Sequence, residues 1–237
     1  MGASARPTRN AGRASASRSR WLAACDACFV LLFVVSAGAV LGRVGGAPPL
    51  AWWPALALAA LAGVCAADLA TGATHWLLDT FFDESTPGIG PALVRAFREH
   101  HREPDAIAGR GFLEVTGYNA LGVSPLVWST LPLAPRFGFE LAPTLLLAFG
   151  LAAAAVAFAS NSLHRWAHAR EVPRAVRWLQ RRGVILSPEA HALHHRGAHD
   201  RAYCVATGWM NPVVDGLGLF RALERALRAP VSRRTNA

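Results

Sequence analysis

Four apolar stretches limit what this chain can become before any single residue is weighed. They cover about residues 21–41, 50–71, 119–134 and 141–160. A helix that crosses a bilayer needs about 20 mostly apolar residues. The first, second and fourth stretches meet that length, and helical character in the second is expected to run on to Phe82. The third is short and carries Pro125 and Pro132, which suits a kinked span or a re-entrant segment. The composition agrees: 53% of residues are hydrophobic and 16% charged, against ~25% charged in soluble domains.

The net charge is +9. Such an excess has two readings, nucleic-acid binding or a membrane protein with basic cytoplasmic loops. The apolar stretches favour the second, and no nucleic-acid partner is expected. All the basic residues are arginines, and they orient the spans. The tail before the first stretch holds five (Arg6, Arg9, Arg13, Arg18, Arg20). The next connection holds Arg43 alone, the 83–118 connection holds Arg95, Arg98, Arg102 and Arg110, and the third connection holds Arg136 alone. Thirteen follow the last stretch. This alternation counts the weak third stretch as a span. The positive-inside rule then makes both termini and the 83–118 connection cytoplasmic.

The nine histidines sort the same way. His75 lies at the cytoplasmic end of the second stretch, His100 and His101 in the cytoplasmic connection, and His164 and His168 at the cytoplasmic end of the fourth. His191, His194, His195 and His199 follow. Helical residues three or four apart share a face. His75 and Asp79 stand so in "HWLLD", as do His164 and His168 in "HRWAH". In "HALHH", His191 precedes His194 and His195 by three and four residues. Ser187 and Pro188 are suited to begin that helix, and Gly197 to end it. Consecutive histidines sit ~100° apart on a helix, so His100 and His101 need a helix end or a wide site between them.

A lone histidine is more often a satisfied polar residue than a ligand. The combined set reads as a metal site, because ionisable groups at a membrane are costly and default to function. A zinc site uses about four protein ligands. Eight histidines and Asp79 overfill one site and suit two. Imidazole accepts iron, copper, zinc or nickel. Its dominance over carboxylate, at the ends of lipid-embedded helices, favours two irons and oxygen activation on a lipid chain.

Asp68 lies two helical turns before His75 and is a candidate to hold a ligand's other nitrogen. Asn119 and His199 are further candidates for such supporting roles. Trp76, Trp166, Trp178 and Trp209 read as an interfacial belt. Val213, Leu217, Phe220, Leu223 and Leu227 recur at helical spacing, as in a helix lying on the bilayer over the site. Cys25 and Cys28 form a C-x-x-C without a second pair or neighbouring histidines, so packing is expected rather than redox or zinc chemistry.

The stretches "DLATGATHWLLDTF", "FREHHREPDAI", "GFLEVTGYN", "HRWAHA" and "LSPEAHALHHRGAHDRAYCVATGWMNP" resemble, in order, the motifs of the Kua/CarF lipid desaturase family. The resemblance covers about residues 65–215. It implies a membrane enzyme with a histidine-bound di-iron centre, and one branch, plasmanylethanolamine desaturase, uses O2 and reducing equivalents to turn the 1-O-alkyl chain of an ether phospholipid into a vinyl ether. Position by position, the family's metal ligands match His75, Asp79, His100, His101, His164, His168, His191, His194 and His195. Asp68 also matches. Asp79 and His195 are the expected catalytic residues. Arg110 and Gly111 stand where family members often carry histidine and aspartate, which bears on the substrate or on one outer ligand.

The expected fold is therefore an all-α membrane protein with four transmembrane helices and a cytoplasmic histidine-rich helical cap. Residues 1–20 are expected as a disordered basic tail, 21–229 as the transmembrane desaturase domain and 230–237 as a disordered tail. The implied substrate is a membrane phospholipid, and the electron source a separate cytochrome b5-like or ferredoxin-like protein. An acyl-lipid desaturase or hydroxylase stays open on the same scaffold. A metal transporter would need polar residues along its spans, and a scaffold would have no use for the histidines.

Overall fold

The computed structural model describes residues 20–135 and 138–235, which are mostly helical, with no strand among them. The basic tail expected over 1–20 lies outside the described residues except for Arg20, as do Arg136 and residues 236–237. Among the described residues three helices are long and apolar enough to cross a membrane: α1 (Arg20–Leu41), α2 (Trp53–Phe81, with a 3-10 turn before it from Leu50) and α5 (Leu141–His168). Between them come α3 (Arg95–Arg102), entered through a wide turn that starts beside Pro91, and α4 (Phe112–Ser129). The apolar stretch expected over 119–134 thus begins as helix seven residues earlier and ends in a 3-10 turn at Leu131–Leu133.

The long helices stand in the order α1, α4, α5, α2. Small residues set the spacing. Gly63 of α2 faces α5 so closely that a Cβ there would run into the carbonyl oxygen of Phe149, the kind of approach that membrane helices use where apolar burial gives no net drive. Asn119 of α4 donates to the carbonyl of Ala157 and to Ser160 Oγ on α5, and Asn161 donates back to Asn119 Oδ1. Asn119 was expected near the histidines; it is instead a polar clamp between α4 and α5, one turn before His164. Away from this row, Leu31, Val34, Val35, Leu58, Leu61 and Leu146 are exposed, as lipid-facing side chains would be.

Beyond α5 the chain folds back over the histidine-bearing helix ends. It forms α6 (Arg174–Arg181), the single turn α7 (Pro188–His191), the short α8 (Asn211–Gly216) and α9 (Leu219–Thr235). The helix expected around Phe220 is thus broken, because Gly218 takes φ +59°, which favours glycine. Phe220 is buried and stacks on Trp76 at 5.1 Å, while Val213, Leu217, Leu223 and Leu227 remain exposed. Trp76 accordingly belongs to the core under α9 and not to an interfacial belt. Helix α9 continues to Thr235, into the segment expected as a disordered tail. All four cysteines are free.

Candidate metal centre

All nine histidines meet where α2, α3 and α5 end and the C-terminal segment folds across them. His75 and Asp79 project from one face of α2, with Nε2 of His75 3.3 Å from Asp79 Oδ2. His164 and His168 do the same on α5. His100 and His101 close α3. Ser187 caps α7 by accepting from the N–H of Ala190 at 3.2 Å. That helix stops at His191, so His194 and His195 lie in the turn that follows.

The ligand atoms form two adjacent groups. His100, His164, His168, His191 and His195 make one; His75, Asp79, His101 and His194 make the other. Within each, one donor atom per residue lies within 4.8 Å of all the rest. Both pairs of neighbouring histidines divide between the groups: His100 and His195 serve the first, His101 and His194 the second. The ~100° between successive helical side chains, which makes a shared site awkward, sends His100 and His101 to different groups, and His194 and His195 divide likewise from the turn after α7.

The donor set fits metal ions. Nε2 of His191 lies 2.8 Å from that of His164 and 3.0 Å from that of His195, which is 3.1 Å from that of His100. In the second group the Nε2 atoms of His101 and His194 are 3.1 Å apart. Ligands at right angles on a metal with bonds of about 2.1 Å stand about 3.0 Å apart. Several buried polar atoms here have no hydrogen-bond partner among the described residues, including His75 Nε2, His168 Nε2 and both carboxylate oxygens of Asp79. Orphaned buried groups are rare in native proteins, and a cation in each group would satisfy them.

Two of the three rings in the second group have their tautomers set. His194 Nδ1 is 2.8 Å from the carbonyl of Arg201, and His75 Nδ1 is 3.3 Å from that of Tyr203. A carbonyl only accepts, so Nδ1 carries the proton in each ring and Nε2 offers its lone pair. Burial, reinforced by neighbouring imidazoles, pushes His100 down to about 2, His101 to about 3 and His195 to about 4. In His194 burial outweighs the Arg201 hydrogen bond and leaves it at about 4. His191 is lowered well below its usual value by the same burial. These rings are neutral at physiological pH, the state that binds metal.

Asp68 does not reach a histidine. Its Oδ1 accepts from the backbone N–H groups of Ala206, Thr207 and Gly208, and Oδ2 from that of Met210. It anchors the segment whose Tyr203 carbonyl orients His75, so its support of the site runs through the backbone. Gly72 lets that segment lie on α2, since a Cβ there would stand 2.5 Å from Cys204 Sγ. His199 stacks on His101 at 4.4 Å without joining either group. Arg110 lies 3.9 Å from Glu99 and 3.8 Å from Glu114, and Gly111 precedes α4. Both groups are complete without a ligand from either position.

The carbonyls of Tyr203 and Arg201 escape sequence reasoning, because a backbone acceptor has no residue signature. Arg98, which donates to the carbonyls of Asp79 and Phe82, reads in the sequence as one more cytoplasmic arginine.

A family model described as the lipid desaturase domain matches residues 64–237, a span that contains every histidine. The chain belongs to the lipid desaturase family. This lipid desaturase is 34% identical over 206 residues to the plasmanylethanolamine desaturase of Myxococcus xanthus, covering 86% of this chain and 71% of the relative. It is 32% identical over 196 residues to plasmanylethanolamine desaturase 1 of Mus musculus, covering 79% and 72%. It is 36% identical over 170 residues to the chloroplastic fatty acid desaturase 4 of Arabidopsis thaliana, covering 71% of this chain and 50% of that one. No solved structure matches.

Proposed function

We propose that this lipid desaturase is a four-span membrane enzyme that forms the vinyl ether of a plasmalogen from a 1-O-alkyl phospholipid. The observation that carries the reading is the pair of adjacent ligand groups, one of five histidines and one of three histidines with Asp79, at the ends of apolar helices. Relatives named plasmanylethanolamine desaturase, similar over most of the chain, support the choice of substrate. Both termini and the site face the cytoplasm in this reading, following the arginine distribution.

His100, His164, His168, His191 and His195 would hold one iron, and His75, Asp79, His101 and His194 the other. Bound iron would supply the redox chemistry that O2 needs to act on unactivated C–H bonds. The reaction removes two hydrogens from adjacent carbons and reduces O2 to two waters. Two electrons from a separate donor protein and two protons from solvent complete it. The chain's own groups have three tasks. The apolar spans hold the lipid tail. The carbonyls of Tyr203 and Arg201 fix the rings of His75 and His194. Asp79, whose carboxylate lies 3.5 Å from His101, serves as a ligand or as a base that holds a proton beside the reacting carbons.

A second reading is an acyl-lipid desaturase or hydroxylase, favoured by the fatty acid desaturase relative. One experiment separates the two. The chain is expressed in cells that lack plasmalogens and are fed an alkyl ether lipid. Acid-labile vinyl ethers are expected with the native chain and not with His195→Ala. A new acyl double bond or hydroxyl without vinyl ether would overturn the first reading in favour of the second.

A further inference from the structure

A polar cleft of about 320 Å³ opens directly onto the second ligand group, since Asp79 and His101 belong to both. Its other walls come from α3, α9 and the loop before Tyr203. Two arginines, Arg98 and Arg228, line it. Arg98 donates through Nη2 to the carbonyls of Asp79 and Phe82, and Arg228 through Nη2 to that of Thr80. Both guanidinium groups are thus held by the carbonyl end of α2, where the helix dipole favours cations. Nε and Nη1 of Arg98 and Nη1 of Arg228 have no partner among the described residues. These unpaired N–H groups line one cleft and suit a phosphate-type anion.

The same cleft contains carboxylates. Glu224 Oε1 accepts from Arg228 Nε at 2.9 Å, and Asp200 lies on the opposite loop. A simple anion would meet repulsion from these groups. A ligand with both an anionic and a cationic end would not. Helix α9 supplies Arg228 and Glu224, and it leaves Leu219, Leu223 and Leu227 exposed beside Arg221 and Arg225. A helix of that pattern lies at a bilayer surface, so the cleft sits at the depth of lipid headgroups.

We propose that this cleft is a headgroup site for a zwitterionic phospholipid, with Arg98 and Arg228 on the phosphodiester and Glu224 and Asp200 on the ammonium. The inference deepens the function proposed above and rests on it for the position of the reaction. Only the glycerol separates the phosphate from the first carbons of a 1-O-alkyl chain, so a headgroup held beside Asp79 and His101 brings those carbons to the metal ligands. A double bond made far along a chain would need the headgroup held much farther away.

Binding is measured on metal-stripped, full-length protein in detergent, by anisotropy of a fluorescent 1-O-alkyl phosphatidylethanolamine. Competitors are the matching phosphatidylglycerol and inorganic phosphate. The native chain should bind the ethanolamine lipid in preference to the glycerol one. Arg228→Gln should weaken binding at least about tenfold, and Arg228→Lys should recover part of it. Glu224→Gln should narrow the preference by at least about fivefold. Three results overturn the proposal: equal binding by the native chain and Arg228→Gln, an unchanged preference in Glu224→Gln, or displacement of the lipid by inorganic phosphate at equal concentration. Equal loss in Arg228→Gln and Arg228→Lys, with a lowered melting temperature in both, assigns Arg228 to folding and also overturns it. No turnover is involved. A protein that binds as expected and yet makes acyl double bonds refutes the proposed reaction and keeps the headgroup site.

Discussion

His194 Nδ1 lies 2.8 Å from the carbonyl oxygen of Arg201, and the proton this fixes on Nδ1 leaves Nε2 to face His101 Nε2 at 3.1 Å. The ring is oriented with its Nε2 lone pair free to bind an ion. His194→Ala should therefore remove one ion and keep the other, because the five-histidine group does not use it. Metal per chain should fall by about half, as read by elemental analysis of purified protein, and desaturation should fall at least about a hundredfold. Full metal content in the variant would show that the two groups are not separate sites.

Asp68 is fully buried and satisfies four backbone N–H groups. Asp68→Ala leaves those donors orphaned and should cost about 3 kcal/mol or more. A lowered melting temperature and faster proteolysis within 203–211 would report it. Metal content should fall as well, because the Tyr203 carbonyl that holds His75 lies at the edge of this segment.

Gly72 admits no side chain. A Cβ there would meet Cys204 Sγ at 2.5 Å and the Cys204 backbone nitrogen at 3.1 Å. Gly72→Ala should destabilise by roughly 1–3 kcal/mol. Adding Cys204→Ala should restore part of this and not all, since the backbone atom stays in place. Complete restoration in a thermal melt would show that only the sulfur stood in the way.

Acid should loosen the metal-free protein. His100, His101, His194 and His195 titrate at about 2, 3, 4 and 4 when folded, below the ~6.5 of an unfolded imidazole. Between those values the unfolded chain binds protons that the folded chain refuses, so stability rises with pH up to about 6.5 and levels off above it. Metal-stripped protein should melt lower at pH 5 than at pH 7.5. An equal or higher melting temperature at pH 5 would contradict the burial of these rings as neutral groups.

Much of the site is legible in the chain itself. The i,i+4 spacing of His75 with Asp79 and of His164 with His168 needs only helical geometry, and Ser187-Pro188 starts α7 as its capping chemistry requires. The partners of Asp68 are hidden because they lie 138–142 residues away and are backbone N–H groups, which every residue but proline has. Asn119 misleads for a related reason: a polar residue in an apolar helix signals a partner without saying which, and Ser160 and Asn161 of α5 claim it before any histidine can. Trp76 reads as interfacial because tryptophans often are, and only the fold of α9 over α2 brings Phe220 onto its ring.

The sequence by itself determined which residues are candidate ligands and that apolar helices carry several of them, because spacing along one helix and the length of an apolar stretch are local quantities. Tertiary structure alone decided that His100 and His101 part company, as do His194 and His195. Which of two sites a ring enters depends on where the ends of α2, α3 and α5 meet in space. That meeting is set by close approaches such as Gly63 to Phe149 and Gly72 to Cys204, between residues distant in the chain.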